Sequence, residues 1–204
     1  MKFSRRSPLR MALGSALAVL LGTAALPMAA QTADTSAYPS KPLRMIVPYP
    51  AGGGADIIGR AIAQQLGQAW NVPVIVENKP GASGITGNDL VAKSAPDGYT
   101  MLIGITAMIQ TPALYAKLPY DVLKDFAPVS QIAMSSDLFV VPRDVPAKTL
   151  PEFIALAKAH PGKYSYGNYG NGTSSHMHGE LLKMKAGVDL TAIPYKGAAP
   201  LVND

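Results

Sequence analysis

Two loops rich in glycine and small polar residues carry the donor groups best suited to bind a small anion. The first covers residues 48–56 (PYPAGGGAD) and the second covers residues 167–176 (GNYGNGTSSH). Glycine allows the backbone of each loop to approach a ligand closely. The exposed N–H groups at the start of a following helix, together with the helix dipole, favour a negatively charged group. Hydroxyls and amides give the second loop such an anion cradle without a formal positive charge.

Each loop also has an interpretation without a ligand. The first is compatible with a glycine-rich tight turn, and the second with a flexible loop whose helix is capped by Thr173 or Ser174. A third glycine-rich loop over residues 78–84 (NKPGASG) is expected to form a wall of the same cleft.

The first loop does not match the motifs that bind nucleotides. A phosphate loop requires Lys-Ser or Lys-Thr after its last glycine, whereas Ala55 and Asp56 follow here. A dinucleotide fingerprint beginning at Gly52 requires glycine at position 57, which is isoleucine. Asp56 would also repel a phosphate, and we expect it to cap or order the loop.

Metal binding and catalysis find little support in the residue pattern. On a helix His176 and His178 point about 200° apart, which is a poor arrangement for one metal ion. His176 and Glu180 share a face, but two ligands are too few. Ser83 lies in Gly-Ala-Ser-Gly rather than in the Gly-x-Ser-x-Gly of a nucleophile elbow. We therefore predict a protein that is not an enzyme and has no metal or cofactor.

Residues 1–30 have the organisation of a secretory signal peptide. An uncharged apolar run over residues 11–26 follows a basic segment, and it is short for a membrane-spanning helix. The basic residues are Lys2, Arg5, Arg6 and Arg10, and small residues stand at Ala29 and Ala30. A retained membrane anchor, cleavage after Ala37 and a twin-arginine signal remain alternatives. The absence of cysteine excludes a lipoprotein anchor and disulfides.

The basic net charge of the chain comes mostly from this segment. The chain has 18 basic and 13 acidic side chains, and four of the basic ones lie before residue 31. The exported part would carry 14 basic and 13 acidic side chains, a net charge of +1. The high isoelectric point is therefore no argument for binding nucleic acid.

The elements that position the loops repeat a short apolar run followed by a helical pattern. We predict strands over residues 43–47, 74–76 and 101–105, with helices over residues 55–70 and 88–93. The runs are almost continuously apolar, which is typical of strands covered on both faces. Their starts lie 27 to 31 residues apart, which leaves room for helical crossovers. This pattern predicts a parallel, doubly wound α/β domain.

The pattern changes after residue 121. Strands are predicted over residues 126–129 and 138–141, and Pro142 and Pro146 mark a crossing into a second α/β unit. There Thr149 and Glu152 have capping-box spacing at a helix start. A strand over residues 164–166, a helix over 174–185, a strand over 190–194 and the start of another helix follow. We predict a first lobe over residues 40–141 and a partial second lobe over residues 142–204.

Motifs spread over this region carry a family resemblance. The chain resembles the substrate-binding receptors of tripartite tricarboxylate transporters, often called the Bug receptor family. The matching stretches run in order from residue 38 to residue 197, and together they are highly specific. They are YPSKPLRMIVPY from residue 38, GGGAD from 52, VENKPGA from 76, PDGYT from 96, LPYD from 118, KDFAPV from 124, PGK from 161, GTSSH from 172, GELL from 179 and PYKG from 194.

This resemblance implies a two-lobed periplasmic binding protein of the type II fold. A small carboxylate would be held between the lobes by backbone amides, hydroxyls and ordered water. The receptor, a periplasmic monomer, would deliver it to the membrane permease subunits of the transporter. By position, the implied ligand-binding residues are Tyr49, Ala51, Gly52, Gly53, Gly54, Asp56, Ser83, Thr106, Gly172, Thr173, Ser174, Ser175 and His176.

Length is where the chain departs from the family, whose members are longer. We therefore expect the second lobe and the return to the first lobe to be incomplete. An unstable or weakly binding product is the corresponding hypothesis. A non-functional receptor fragment and an α/β hydrolytic enzyme remain the alternative interpretations.

Overall fold

The computed structural model of the chain describes residues 38–204, so the predicted signal peptide lies outside the described residues. The first sheet contains three parallel strands, β1 (Leu43–Val47), β2 (Val74–Asn78) and β3 (Thr100–Leu102), in the order β2-β1-β3. Helices α1 (Gly54–Trp70) and α2 (Ile85–Ala92) provide the two crossovers, and a short α3 (Ala107–Gln110) follows β3. The prediction of a parallel α/β unit is confirmed.

Strand β1 lies at the centre of the first hydrophobic core. Met45, Val47 and Tyr49 are buried together with Ala63 of α1 and Ile103 after β3. Because β1 lies between two parallel neighbours, the loop after it opens at the sheet edge where ligands bind in this class of fold.

The expectation that all three strands are covered on both faces holds only for β1. Its residues are almost fully buried, whereas Ile75 of β2 is 51% exposed. A sheet of three strands has two edges, so its outer strands are covered less completely. The observed β3 is shorter than predicted, and α2 begins at Ile85 rather than at residue 88.

The strands predicted over residues 126–129 and 138–141 are not formed, and both predictions are wrong. These residues have no regular secondary structure, and Val129 and Leu138 are 92% and 85% exposed. A β-strand requires a hydrogen-bonded neighbour, and within residues 38–204 neither segment pairs with one. An apolar, β-branched run does not supply that neighbour.

A second sheet contains the parallel pair β4 (Tyr164–Asn168) and β5 (Leu190–Pro194). It is accompanied by α4 (Leu150–Ala159), α5 (Ser174–Ala186) and α6 (Ala198–Asn203). Phe153, Val188 and Leu190 are buried in its core. Strand β4 extends two residues beyond the prediction, into the segment that the sequence assigned to the loop.

The predicted capping box at the start of α4 is confirmed in one half and shifted in the other. Thr149 Oγ1 accepts a hydrogen bond from the Glu152 amide at 3.4 Å. Glu152 Oε2 accepts from the amide of Lys148 at 2.7 Å, one residue before the expected partner. Together the two bonds satisfy backbone donors at this helix end.

The segment before residue 142 contacts the second sheet's core. The ring of Phe139 lies 5.1 Å from that of Phe153, and Asp137 accepts a hydrogen bond from Tyr169 at 2.9 Å. The lobe boundary at residue 141 stays a prediction, although these contacts begin a few residues before it. In the described part of the chain, no helix combines the length and apolarity that a membrane span requires.

Candidate ligand-binding site

Asp56 orders the first loop from the start of α1. Its Oδ2 accepts from the Gly52 amide at 2.9 Å and from Arg60 Nε at 3.0 Å, and its Oδ1 accepts from Asn78 Nδ2 at 2.8 Å. The hydrogen bond from Arg60, followed by those from Gly52 and Asn78, lowers the pKa of this carboxyl from 3.8 to about 2. Protein donors thus occupy both carboxylate oxygens, which agrees with the expected loop-ordering role.

The second loop is braced by its own polar side chains. Thr173 is fully buried and donates through Oγ1 to the carbonyl oxygen of Gly170 at 2.6 Å. Asn168 Oδ1 accepts from the Gly170 amide at 3.0 Å, and the Gly172 amide donates to His176 Nδ1 at 3.3 Å. Thr173 and His176 therefore hold the loop in shape.

The two loops enter their helices with nearly the same backbone geometry. Gly52 and Gly172 have φ angles of 81° and 82°. The N-cap residues that follow, Gly53 and Thr173, have φ/ψ of −82°/166° and −80°/164°. An α-helix leaves its first N–H groups without an intrahelical partner. Each loop therefore presents backbone donors at a helix start, as the sequence predicted.

The third loop forms a left-handed turn that depends on Tyr49. Ala82 and Ser83 have φ angles of 45° and 56°, a left-handed region that non-glycine residues adopt rarely. Tyr49 donates through its hydroxyl to the Ser83 carbonyl oxygen at 3.0 Å. Burial raises the pKa of Tyr49 above its usual range, so the hydroxyl remains a donor. A Cβ atom at Gly84 would lie 2.8 Å from this hydroxyl, so only glycine fits there.

A cavity of about 240 Å³ lies where these loops meet. It is slightly smaller than typical small-molecule sites, which measure about 300–1,000 Å³. The first sheet's side supplies Pro48, Tyr49, residues 81–84 and Tyr115, and the second sheet's side supplies Gly170, Asn171 and residues 194–196. The lining consists mainly of amides, hydroxyls and aromatic rings, which suits a small ligand with a polar end.

Glycines allow the two sides of the cavity to approach closely. A Cβ atom at Gly170 would lie 2.9 Å from Ser83 Oγ, and one at Gly197 would lie 2.7 Å from Pro50 Cδ. Both distances are shorter than real Cβ contacts. At Gly197 the rigid Pro50 ring would have to move, so a side chain there would push the two sides apart, whereas at Gly170 the Ser83 hydroxyl would have to rotate away.

The structure distributes the predicted site residues unevenly around the cavity. Tyr49 and Ser83 line it. Gly52 and Gly53 do not line it; they lie against α6, each positioned so that a Cβ would be 3.9 Å from Ala199. The remaining predicted residues are not among the lining residues; they are Ala51, Gly54, Asp56, Thr106, Gly172, Thr173, Ser174, Ser175 and His176. A ligand contact at any of the predicted residues stays a prediction.

The sequence reasoning missed Tyr115, Tyr195 and Lys196 as lining residues. Tyr195 and Lys196 directly follow β5, and the rule that ligands bind at the carboxyl ends of parallel strands would have identified them. No comparable signal marks Tyr115. The second loop itself has no formal positive charge, as expected, but the cavity also includes Lys196.

The candidate metal ligands point to different partners. His176 Nδ1 accepts from the Gly172 amide, whereas His178 Nδ1 lies 2.8 Å from Asp137 Oδ2. Among residues 38–204 there is no group of three or more His, Cys, Asp or Glu side chains that could hold a metal ion.

Comparisons with known proteins identify relatives over most of the chain. Residues 57–204 match the family described as "Tripartite tricarboxylate transporter family receptor". BugT of Bordetella pertussis is 36% identical over 190 residues, which cover 92% of this chain and 57% of BugT.

Two solved structures share the fold and were determined with a ligand. Rpa4515 of R. palustris with adipate is 34% identical with a TM-score of 0.79, over 82% of this chain and 56% of that chain. MatC of Rhodopseudomonas palustris with bound malate is 27% identical with a TM-score of 0.68, over 81% and 57% respectively.

The chain spans about half the length of the curated relatives it matches, between 50% and 55% for the first three. The observed α/β architecture agrees with the fold of the periplasmic binding proteins among its structural neighbours, which include BugD. From the family match over residues 57–204, the chain belongs to the receptor family of tripartite tricarboxylate transporters.

Proposed function

We propose that this chain forms the ligand-holding part of a periplasmic receptor that binds a small carboxylate in the cavity between its two sheets. The observation that carries the proposal is the composition of the lining, which contains amides, hydroxyls and a lysine but, among the described residues, no acid. Such a lining attracts an anion, because it contains no negatively charged side chain that would repel it. The proposal agrees with the adipate and malate of the two related structures.

The donors that would bind the carboxylate are mostly neutral. Candidate donors among the lining residues are the Ser83 hydroxyl, the Asn171 side-chain amide and the backbone N–H groups of Ala82, Ser83 and Asn171. The Tyr49 hydroxyl and the Gly84 and Gly170 amides already donate within the protein. Neutral donors bind an anion while allowing its release, which a receptor requires. Asp56 and His176 would act by ordering the loops, because each already accepts a hydrogen bond from its own loop's glycine.

The family and the predicted signal peptide over the first thirty residues support a periplasmic setting. The receptor would be exported to the periplasm and would deliver its ligand, as a monomer, to the permease subunits of the transporter. As a receptor, it would release the ligand chemically unchanged.

Calorimetric titration of the chain with adipate, malate and the neutral diamide of adipate tests the binding proposal. We expect saturable one-to-one binding of at least one acid and none of the diamide, with the acid recovered chemically unchanged by NMR. Asn171→Trp, which places a large ring in the cavity lining, should abolish binding, whereas Ala155→Trp on the exposed face of α4 should not. Equal binding of acid and diamide, or turnover of the acid, would contradict the proposal.

A further inference from the structure

Asp137 reaches the second loop from a segment that has no regular secondary structure. Its Oδ1 accepts a hydrogen bond from the Tyr169 hydroxyl at 2.9 Å, and its Oδ2 lies 2.8 Å from His178 Nδ1 on α5. A carboxylate only accepts, so the His178 ring carries a proton on Nδ1 and donates. Each carboxylate oxygen therefore has one donor. Although Asp137 lies 32 residues before Tyr169, its side chain is only 28% exposed.

Tyr169 connects this contact to the start of α5. Because its hydroxyl hydrogen points to Asp137, the Tyr169 oxygen accepts from Ser174 Oγ at 2.5 Å. Its backbone amide donates to Ser175 Oγ at 3.2 Å. Tyr169 is thus held through both its side chain and its backbone. It directly precedes loop residues 170–171, which line the cavity.

The loop depends on such support because of its glycines. Gly170 and Gly172 have φ angles of 135° and 82°, and glycine has more backbone freedom than any other residue. In the described part of the chain, every other side-chain hydrogen bond of residues 169–175 has its partner between residues 168 and 176. The bond to Asp137 therefore ties the loop to a distant part of the chain, which its internal bonds do not.

We propose that Asp137 is a positioning residue of the ligand-binding site, which acts through Tyr169 to hold loop residues 170–171 in their cavity-lining conformation before the ligand binds. This inference rests on the proposed carboxylate-binding function. A loop that is already ordered does not have to be ordered by the ligand. Ordering one side chain on binding has a cost that corresponds to about a threefold to tenfold change in affinity. His178 contributes by fixing the orientation of the Asp137 carboxylate, since it holds the oxygen that Tyr169 does not use.

Calorimetric titration of variants tests this, with whichever acid, adipate or malate, the parent chain binds more tightly. Asp137→Ala and Tyr169→Phe should each lose about threefold to tenfold in affinity. The double variant should lose no more than the larger single loss, because both substitutions remove the same bond. Asp137→Asn keeps an oxygen that accepts from Tyr169 and should retain most of the affinity. The matched control is Asp144→Ala, at an exposed acid without an ion pair in residues 38–204, and it should bind as the parent chain does.

Amide hydrogen exchange of the ligand-free chain provides a second readout. Residues 169–172 should exchange faster in Asp137→Ala and in Tyr169→Phe than in the parent chain, whereas β1 should exchange at the parent rate. Circular dichroism establishes that each variant is folded. If Asp137→Ala does not fold, Tyr169→Phe removes the same bond and decides the question.

The outcomes separate this inference from the proposed function. Unchanged affinity, unchanged loop exchange or additive losses in the double variant would overturn the role of Asp137 and leave the proposed function in place. If the parent chain binds neither adipate nor malate, the proposed function is contradicted. Loop exchange in the ligand-free variants would then still decide whether Asp137 holds the loop.

Discussion

Gly170 lies directly against Ser83, so that a Cβ atom on Gly170 would be 2.9 Å from the Ser83 hydroxyl oxygen. The two residues belong to different sheets' loops, and both line the cavity. Gly170 has a φ angle of 135°, which a residue with a side chain adopts only under strain. The backbone conformation at Gly170, beside Ser83, therefore depends on the absence of a side chain there.

Gly170→Ala is expected to weaken ligand binding. The new methyl group must separate the two loops or strain the backbone, and we expect about a tenfold loss in adipate affinity, equivalent to about 1.4 kcal/mol. Calorimetry measures it. Gly187→Ala is the matched control, because Gly187 also has a positive φ, 62°, but open space around its Cβ position at the end of α5. It should cost stability and leave affinity unchanged; equal losses of affinity in both variants would argue against the cavity mechanism.

Tyr49→Phe is expected to loosen the turn that carries Ser83. Removing the hydroxyl leaves the Ser83 carbonyl oxygen without its 3.0 Å donor, at a cost of about 1–3 kcal/mol in the free energy of unfolding. Adipate affinity should fall as well, since the turn lines the cavity. Urea unfolding and calorimetry measure the two effects. Tyr164→Phe, which retains the ring contact with Phe153 at 5.7 Å, should change neither by much.

Acid should destabilise the chain through Asp56 and Glu77. Arg60 lowers the pKa of Asp56 from 3.8 to about 2, and Arg44 lowers that of Glu77 from 4.5 to about 2. A carboxyl whose pKa is lower in the folded state stabilises the fold above its unfolded pKa, and this stability is lost as pH falls through the folded pKa. The free energy of unfolding should therefore fall between about pH 5 and pH 2.

Asp56→Asn should flatten this pH dependence. The buried carboxyl contributes about 1–2 kcal/mol after allowance for its half-exposed partner Arg60, so the variant should lose that amount near neutral pH and less in acid. Urea unfolding followed by circular dichroism at several pH values measures the slope. Asp144→Asn, at an exposed acid without an ion pair in the described residues, should retain the parent slope. If the free energy of unfolding of Asp56→Asn followed the same pH dependence as that of the parent chain, the assigned role of the Asp56 carboxyl in acid destabilisation would be contradicted.

Removing the cap of α4 should destabilise the second sheet's core. Thr149→Ala deletes the oxygen that accepts from the Glu152 amide, and we expect a loss of about 1 kcal/mol in the free energy of unfolding. Thr149→Asp keeps an acceptor at the N-cap and should restore most of it. Thermal or urea unfolding distinguishes the variants; identical stabilities for Ala and Asp would mean that the side-chain bond contributes nothing.

Local sequence patterns were sufficient to predict several secondary-structure elements and the loop-ordering role of Asp56. The apolar run of β1, the periodic face of α1 and the spacing of Thr149 and Glu152 each predicted what is observed, because they act between residues close in the chain. The loop-ordering role of Asp56 was also predicted, since its carboxylate accepts from Gly52 four residues before it. Motifs over the same residues identified the family, which the match over residues 57–204 confirms.

Tertiary structure decided whether segments pair and which loops share the cavity. The runs over residues 126–129 and 138–141 have the composition of strands, but a ladder forms only with a neighbour, which composition does not specify. Lys196 lies 148 residues after Pro48 in the sequence, yet both line the same cavity. The sequence by itself determined local conformation, because short-range sterics act between residues close in the chain. It also determined the family, because the motifs are short and specific. Only the packing of the two sheets placed Lys196 and the turn of residues 81–84 around the same cavity.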